Sequence, residues 1–176
     1  HPDRPGLMTK RESRIQILAD LELPPSGVIW DLGAGVGSIG LEALRISPNM
    51  KLLSIDKRFG SKKLIEANAK RLSVHVEKIF EEDIFNVFEK DLIPSNLSNP
   101  DRVIFGGGGR NKENLLNSIL NKMKKNSILV IPITTTQSLA KTELILNKGD
   151  FEIKISQHQS HRGISMQDGT RFNPMN

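Results

Sequence analysis

The sequence predicts an α/β protein built on a doubly wound, mostly parallel sheet, and three observations predict it. Short apolar runs alternate with amphipathic segments along most of the chain. The first run ends in a cluster of glycines, and the second ends in an acid. Strands separated by helical stretches of roughly 10–15 residues are the mark of βαβ units, whose helices cover both faces of a parallel sheet.

Taken in order, residues 10–21 read as a helix, because Thr9 and Glu12 have the spacing of a capping box. The apolar run 27–32 (GVIWDL) is a buried strand, and 38–46 (SIGLEALRI) has helical spacing. A second strand spans 51–55, followed by a helix over 61–72 (SKKLIEANAKRL). Residues 74–79 read as the third strand, with a short helix at 85–89. A fourth strand covers 102–105 and a strongly amphipathic helix covers 113–124. The spacing then predicts a strand over 127–133, a helix over 136–147 and a sixth strand over 151–157.

The chain has 176 residues, enough for one domain, and we expect a single domain over 1–176: an N-terminal segment and helix (1–26) ahead of an α/β core (27–176). With 37% hydrophobic and 26% charged residues it can bury a core, which excludes a disordered chain. The absence of cysteine excludes disulfides, thiolate metal sites and a cysteine nucleophile. The longest apolar run, Ile128 to Ile133, is far short of a membrane helix. No secretory leader precedes the core, so a soluble, cytoplasmic protein with no membrane partner is expected. The net charge of +5 fits a polyanionic ligand. Nucleic acid is not expected, since Tyr is absent and aromatics are only 5% of the chain.

The sharpest motif is Asp31-Leu32-Gly33-Ala34-Gly35-Val36-Gly37-Ser38, between the first strand and its helix. In a doubly wound sheet this loop lies at the carboxyl ends of the strands, where ligands bind. Its G-x-G-x-G spacing lacks the last glycine of a dinucleotide fingerprint, with Ser38 there instead. Asp31 would repel a pyrophosphate, but it suits a ligand carrying an ammonium and a sulfonium. Asp56 closes the second strand, where an acid can accept both ribose hydroxyls of an adenosine. Asp83 follows the third strand, within reach of an adenine amine, with Ile84 beside the ring. Together these describe a Rossmann-like class I fold that binds S-adenosylmethionine (SAM). Asp83 can alternatively serve as a helix cap.

Strand four ends in Phe105 and Gly106 to Gly109, followed by Arg110. The Asn/Asp-Pro-Pro-aromatic motif common in enzymes that methylate exocyclic amines is missing there. Four glycines instead form a wall without side chains, able to pass close to a broad flat acceptor or to the methyl donor.

With Met8-Thr9-Lys10-Arg11-Glu12, the Trp30 to Ser38 loop, Gly106 to Gly109 and Ser160-His161-Arg162-Gly163, the chain resembles the CbiT family and the C-terminal domain of CobL. These are decarboxylating precorrin methyltransferases of cobalamin biosynthesis, and the likeness runs from about Pro5 to Asn176. The resemblance implies a SAM-dependent methyltransferase acting on carbon 15 of a precorrin or cobalt-precorrin, with loss of carbon dioxide from the carbon 12 acetate. It also implies a homotetramer, and donor contacts at Thr9, Gly33 to Gly37, Asp56 and Ile84. The cofactor set is therefore Thr9, Asp31, Gly33, Ala34, Gly35, Val36, Gly37, Asp56, Lys57, Asp83, Ile84 and Gly107. The family continues past residues 173–176 into a last strand, so either that strand is missing and the chain is a fragment, or its sheet edge differs.

Methyl transfer to carbon needs alignment and exclusion of water more than acid–base groups, so no catalytic triad is expected. A polycarboxylate acceptor calls for cationic clamps, and Arg110, Arg162, Arg171 and His161 are the candidates. His158 and His161 lie three apart with no acid beside them, and no metal site is expected. Two other readings use the same cofactor half: a methyltransferase acting on RNA or protein, and a non-catalytic SAM-binding scaffold.

Overall fold

A computed structural model of the chain describes residues 9–106 and 112–174. Strands β1 (Ser26–Leu32), β2 (Asn49–Ile55), β3 (Lys78–Phe80), β4 (Arg102–Phe105) and β5 (Ile128–Val130) form a five-stranded sheet in the order β3-β2-β1-β4-β5. Every pairing in it is parallel. Helices α1 (Arg11–Asp20), α2 (Ser38–Ile46) and α3 (Ser61–Leu72) supply Ile17, Leu41, Leu44 and Ile65 to the core on one face. On the other face, α4 (Ile84–Glu89), α5 (Lys112–Lys122) and α6 (Thr136–Leu146) supply Val87, Leu116, Ile119 and Ile145. The winding is therefore double, as the alternation predicts.

β1 shows why its sequence makes a central strand. Val28, Trp30 and Leu32 point to the α4–α6 side, while Ile29 points to the α1–α3 side. Burial on both faces suits a continuous apolar run. Trp30 is fully buried, and its indole N–H donates to the Leu97 carbonyl at 2.8 Å. Its ring meets Phe88 edge-on, with centroids 5.5 Å apart. An indole can be buried only when its N–H finds an acceptor, and the 94–100 loop provides it.

Three expectations are corrected. β3 covers 78–80, not 74–79, since Val74 and Val76 pack on the α1–α3 side as part of the approach to the sheet. Residues 151–157 form no strand, and Phe151 and Ile155 stay exposed. Pro132, two residues beyond β5, has no N–H for a ladder, in keeping with β5 ending at Val130 and not at 133. The chain instead makes an antiparallel hairpin of β6 (His161–Met166) and β7 (Gly169–Pro174), separate from the main sheet. Lastly, Lys10 is the N-cap of α1 and no side chain caps it. Glu12 pairs with Arg162 instead of closing a capping box, and the Thr9 carbonyl accepts from Arg14 at 2.6 Å.

Candidate functional site

The order of the strands reverses between β1 and β4, and such a switch point opens a crevice at the carboxyl ends of the strands. The glycine loop lies there. The N–H groups of Gly33 and Ala34 both donate to the Ile55 carbonyl, at 2.8 and 3.1 Å, which fastens the loop to the end of β2. Across the crevice, Gly106 N–H donates to the Leu32 carbonyl at 2.9 Å. Gly37 is the N-cap of α2 in the left-handed region (φ 77°), and a Cβ there would meet Ile65 and Leu41 at 3.2 Å. Both the backbone and the packing therefore require glycine at this position.

Two carboxylates lie beneath the loop. Asp56 is 4% exposed, and it accepts Gly35 N–H at 2.8 Å and Arg58 N–H at 2.9 Å. Asp31 is 2% exposed and accepts Gly40 N–H at 3.1 Å. Burial pushes the Asp31 carboxyl up to about 7; the Gly40 N–H opposes this shift and the charge of Asp56 adds to it. The parallel register sets Ser54 beside Asp31, and the Ser54 hydroxyl is buried without a hydrogen-bond partner.

The remaining cofactor candidates fall around this centre. Asp83 caps α4 by accepting Phe85 N–H at 3.0 Å, and its other oxygen is 3.6 Å from Lys57. Ile84 is buried at the start of α4, and Val36 and Ala34 are buried in the loop. Thr9 is half-buried just before α1. Gly107 and Arg110 lie outside the described residues.

The acceptor-side candidates lie on the hairpin. By period-two alternation Arg162 and Arg171 share one of its faces and His161 lies on the other, all three exposed. Arg162 pairs with Glu12 of α1 at 2.9 Å. His158 bonds to Ser156 at 2.8 Å, and among the described residues no group of three or more His, Asp or Glu could hold a metal ion.

Gly40, Ser54 and Lys112 join the site only through the fold. Gly40 had a legible signal, a glycine inside a helical pattern. Lys112 had none: it opens α5, half-buried, with its ammonium 5.7 Å from the centroid of the Phe105 ring.

A parallel 3-2-1-4-5 sheet with a glycine loop at the switch point and an acid closing β2 is the fold of the SAM-dependent methyltransferases. Solved structures with this fold include a precorrin-8W decarboxylase from Methanobacterium thermoautotrophicum (TM-score 0.83, 23% identity, 100% of this chain and 90% of that one). An O-methyltransferase from Thermotoga maritima shares it as well (TM-score 0.75, 17% identity, 96% of this chain and 61% of that one). Within that class, the chain belongs to the precorrin methyltransferase domain family, whose model matches residues 3–174. It is 29% identical over 170 residues to a Pyrobaculum aerophilum protein named a probable cobalt-precorrin-6B C(15)-methyltransferase (decarboxylating), covering 96% of this chain and 84% of that one. A Sinorhizobium precorrin-6Y C(5,15)-methyltransferase (decarboxylating) is 28% identical over 92% of this chain, which spans only 34% of that longer protein. Among the described residues, no helix is long and apolar enough to cross a membrane.

Proposed function

We propose that this protein methylates carbon 15 of a precorrin or cobalt-precorrin with SAM as donor, and removes carbon dioxide from the carbon 12 acetate side chain. The observation that carries the reading is Asp56 holding Gly35 at the switch point, in a chain of the precorrin methyltransferase domain family. The residues present suit the donor. Two buried carboxylates under the loop favour a ligand with cationic groups, and Gly33 is exposed at φ 87° with no Cβ to obstruct its approach. Thr9, the loop from Gly33 to Gly37, Asp56, Lys57, Asp83, Ile84 and Gly107 would hold the donor, with Asp31 behind the loop, bonded to Gly40 of α2. When bound, SAM supplies an electrophilic methyl group on a sulfonium.

The chain's own residues then bind and orient. Asp56 has lone pairs left beyond its two backbone bonds, and these suit ribose hydroxyls. Ile84 offers an apolar surface to a base. The acceptor's conjugated ring carries the nucleophilic carbon, so the protein's contribution is alignment and a dry crevice. Arg110, Arg162, Arg171 and His161 would clamp its carboxylates. We extend the proposal to a single domain over residues 1–176, acting as a cytoplasmic homotetramer; a monomer mass in light scattering would overturn the assembly.

Incubation with SAM and a precorrin-6 substrate, cobalt-free or cobalt-loaded, followed by mass spectrometry tests the reaction. Product that has gained one methyl and lost carbon dioxide is expected. Methylation of RNA or protein instead, or SAM binding without turnover of either tetrapyrrole, would overturn it.

A further inference from the structure

At the carboxyl end of β4, Phe105 is fully buried and lies in register with Leu32, the last residue of β1 before the glycine loop. Over the Phe105 ring sits the ammonium of Lys112, 5.7 Å from its centroid. The side chain is half-buried, and desolvation alone lowers its pKa below the ordinary lysine value. Among the described residues no carboxylate pairs with it, and the sequence of residues 107–111 contains no acid. Lys122, the other half-buried lysine among the described residues, has an anion beside it, Asp91 at 3.3 Å. A lysine held on an aromatic face beside a ligand crevice, with no carboxylate partner among the described residues, has its charge available to an anion that arrives with the ligand.

We propose that Lys112 is a binding residue for a carboxylate of the acceptor, fixed on Phe105 so that its charge faces the β1–β4 crevice. This rests on the reading of the acceptor as a polycarboxylate tetrapyrrole. The chemistry also says which carboxylate it holds. A group about to leave as carbon dioxide is stabilised by an ion pair, which would slow its departure. Lys112 therefore anchors a carboxylate that is retained, setting the orientation of the ring while the reacting side chain stays unpaired. A cation–π contact limits the ammonium to a small arc, which a free surface lysine would not have.

The test uses uroporphyrin, a polycarboxylate tetrapyrrole, and its methyl ester as the uncharged control. Lysines of the full chain are reductively methylated with a carbon-13 label, and the Lys112 signal is assigned by its loss in Lys112→Arg. In the wild type this signal should titrate below the other lysines and move to higher pH with uroporphyrin, but not with the ester. Lys112→Met should weaken uroporphyrin binding about tenfold, Lys112→Arg should restore most of it, and SAM affinity should change less than twofold in both. A Lys112 titration indifferent to uroporphyrin overturns the proposal whether or not the Met variant folds. So does equal uroporphyrin affinity in wild type and Lys112→Met. If the wild type binds SAM but not uroporphyrin, this inference fails and the donor site stands. If the wild type binds no SAM, the methyltransferase reading fails and takes this inference with it.

Discussion

The carboxylate of Asp56 reaches back 21 residues to accept the backbone N–H of Gly35 at 2.8 Å, joining the end of β2 to the loop that follows β1. The same side chain accepts Arg58 N–H at 2.9 Å, so one buried acid sets the loop and also the turn into α3. Asp56→Ala should weaken SAM binding by about 1.5–3 kcal/mol, the range for charge-assisted hydrogen bonds, or roughly tenfold to a hundredfold. Asp56→Asn keeps one acceptor oxygen and should fall between the two. Calorimetry that finds unchanged affinity in Asp56→Ala would remove this residue from the donor site.

Asp31 gives the protein a pH dependence of definite sign. Its folded pKa is raised by burial to about 7, above roughly 3.9 in an unfolded chain. A raised carboxyl stabilises the fold most below the unfolded value, and that contribution is lost as pH rises through the folded one. The apparent melting temperature should therefore fall from about pH 4 to about pH 7 and level off above that, by an amount reflecting a few kcal/mol at most. Asp31→Asn keeps an acceptor for Gly40 and should flatten that part of the profile. SAM carries a sulfonium, which favours the ionised acid, so its affinity should rise between about pH 6 and pH 8, where the folded acid ionises, in the wild type and not in Asp31→Asn. Parallel profiles for the two proteins would mean Asp31 does not titrate there.

Gly40 tests how closely this region is packed. A Cβ on it would stand 2.9 Å from the Asp31 carboxylate and 2.9 Å from a Leu52 methyl. Gly40→Ala should cost about 1–3 kcal/mol in denaturant unfolding, as overpacking usually does. The cost should shrink in an Asp31→Ala background, because one of the two collisions is gone. Equal costs in both backgrounds would place the strain on Leu52 alone.

The parts legible in the sequence were those governed by local rules. Alternation of apolar runs and helical spacing marked the five sheet strands in order, though β3 begins four residues later than expected and β5 ends three residues earlier. The glycines marked the turn at β1, where Gly33, Gly35 and Gly37 all take positive φ. Ends governed by distant partners were not legible. Thr9 and Glu12 have capping-box spacing, yet Glu12 goes to an arginine 150 residues away. Residues 151–157 alternate like a strand, but alternation reports a half-buried face only when a neighbour is there to bury it. The depth of Asp31 was hidden for the same reason: nothing local says that Gly40 will bring a helix backbone onto it.

The Glu12–Arg162 pair bears on the acceptor half of the site. It joins α1 to the hairpin at 2.9 Å; Arg162 is mostly exposed, whereas Glu12 is half-buried and its second oxygen has no hydrogen-bond partner among the described residues. Solvent on the arginine side screens the pair and leaves Arg162 within reach of a substrate carboxylate that competes with Glu12. Several exposed arginines attracting one polyanion act over distances that salt screens beyond about 8–10 Å. Acceptor binding should weaken steeply with ionic strength, whereas SAM, whose charges partly cancel and whose partners are largely backbone, should respond much less. Arg162→Ala, Arg171→Ala and Arg110→Ala should each lower acceptor affinity and leave SAM affinity nearly intact. Glu12→Gln frees Arg162 from its competitor, so acceptor affinity should rise several-fold with little change in stability. Acceptor affinity indifferent to salt and to all three arginines would mean that the carboxylates are held elsewhere. A drop in Glu12→Gln would mean the ion pair positions Arg162 rather than competing for it.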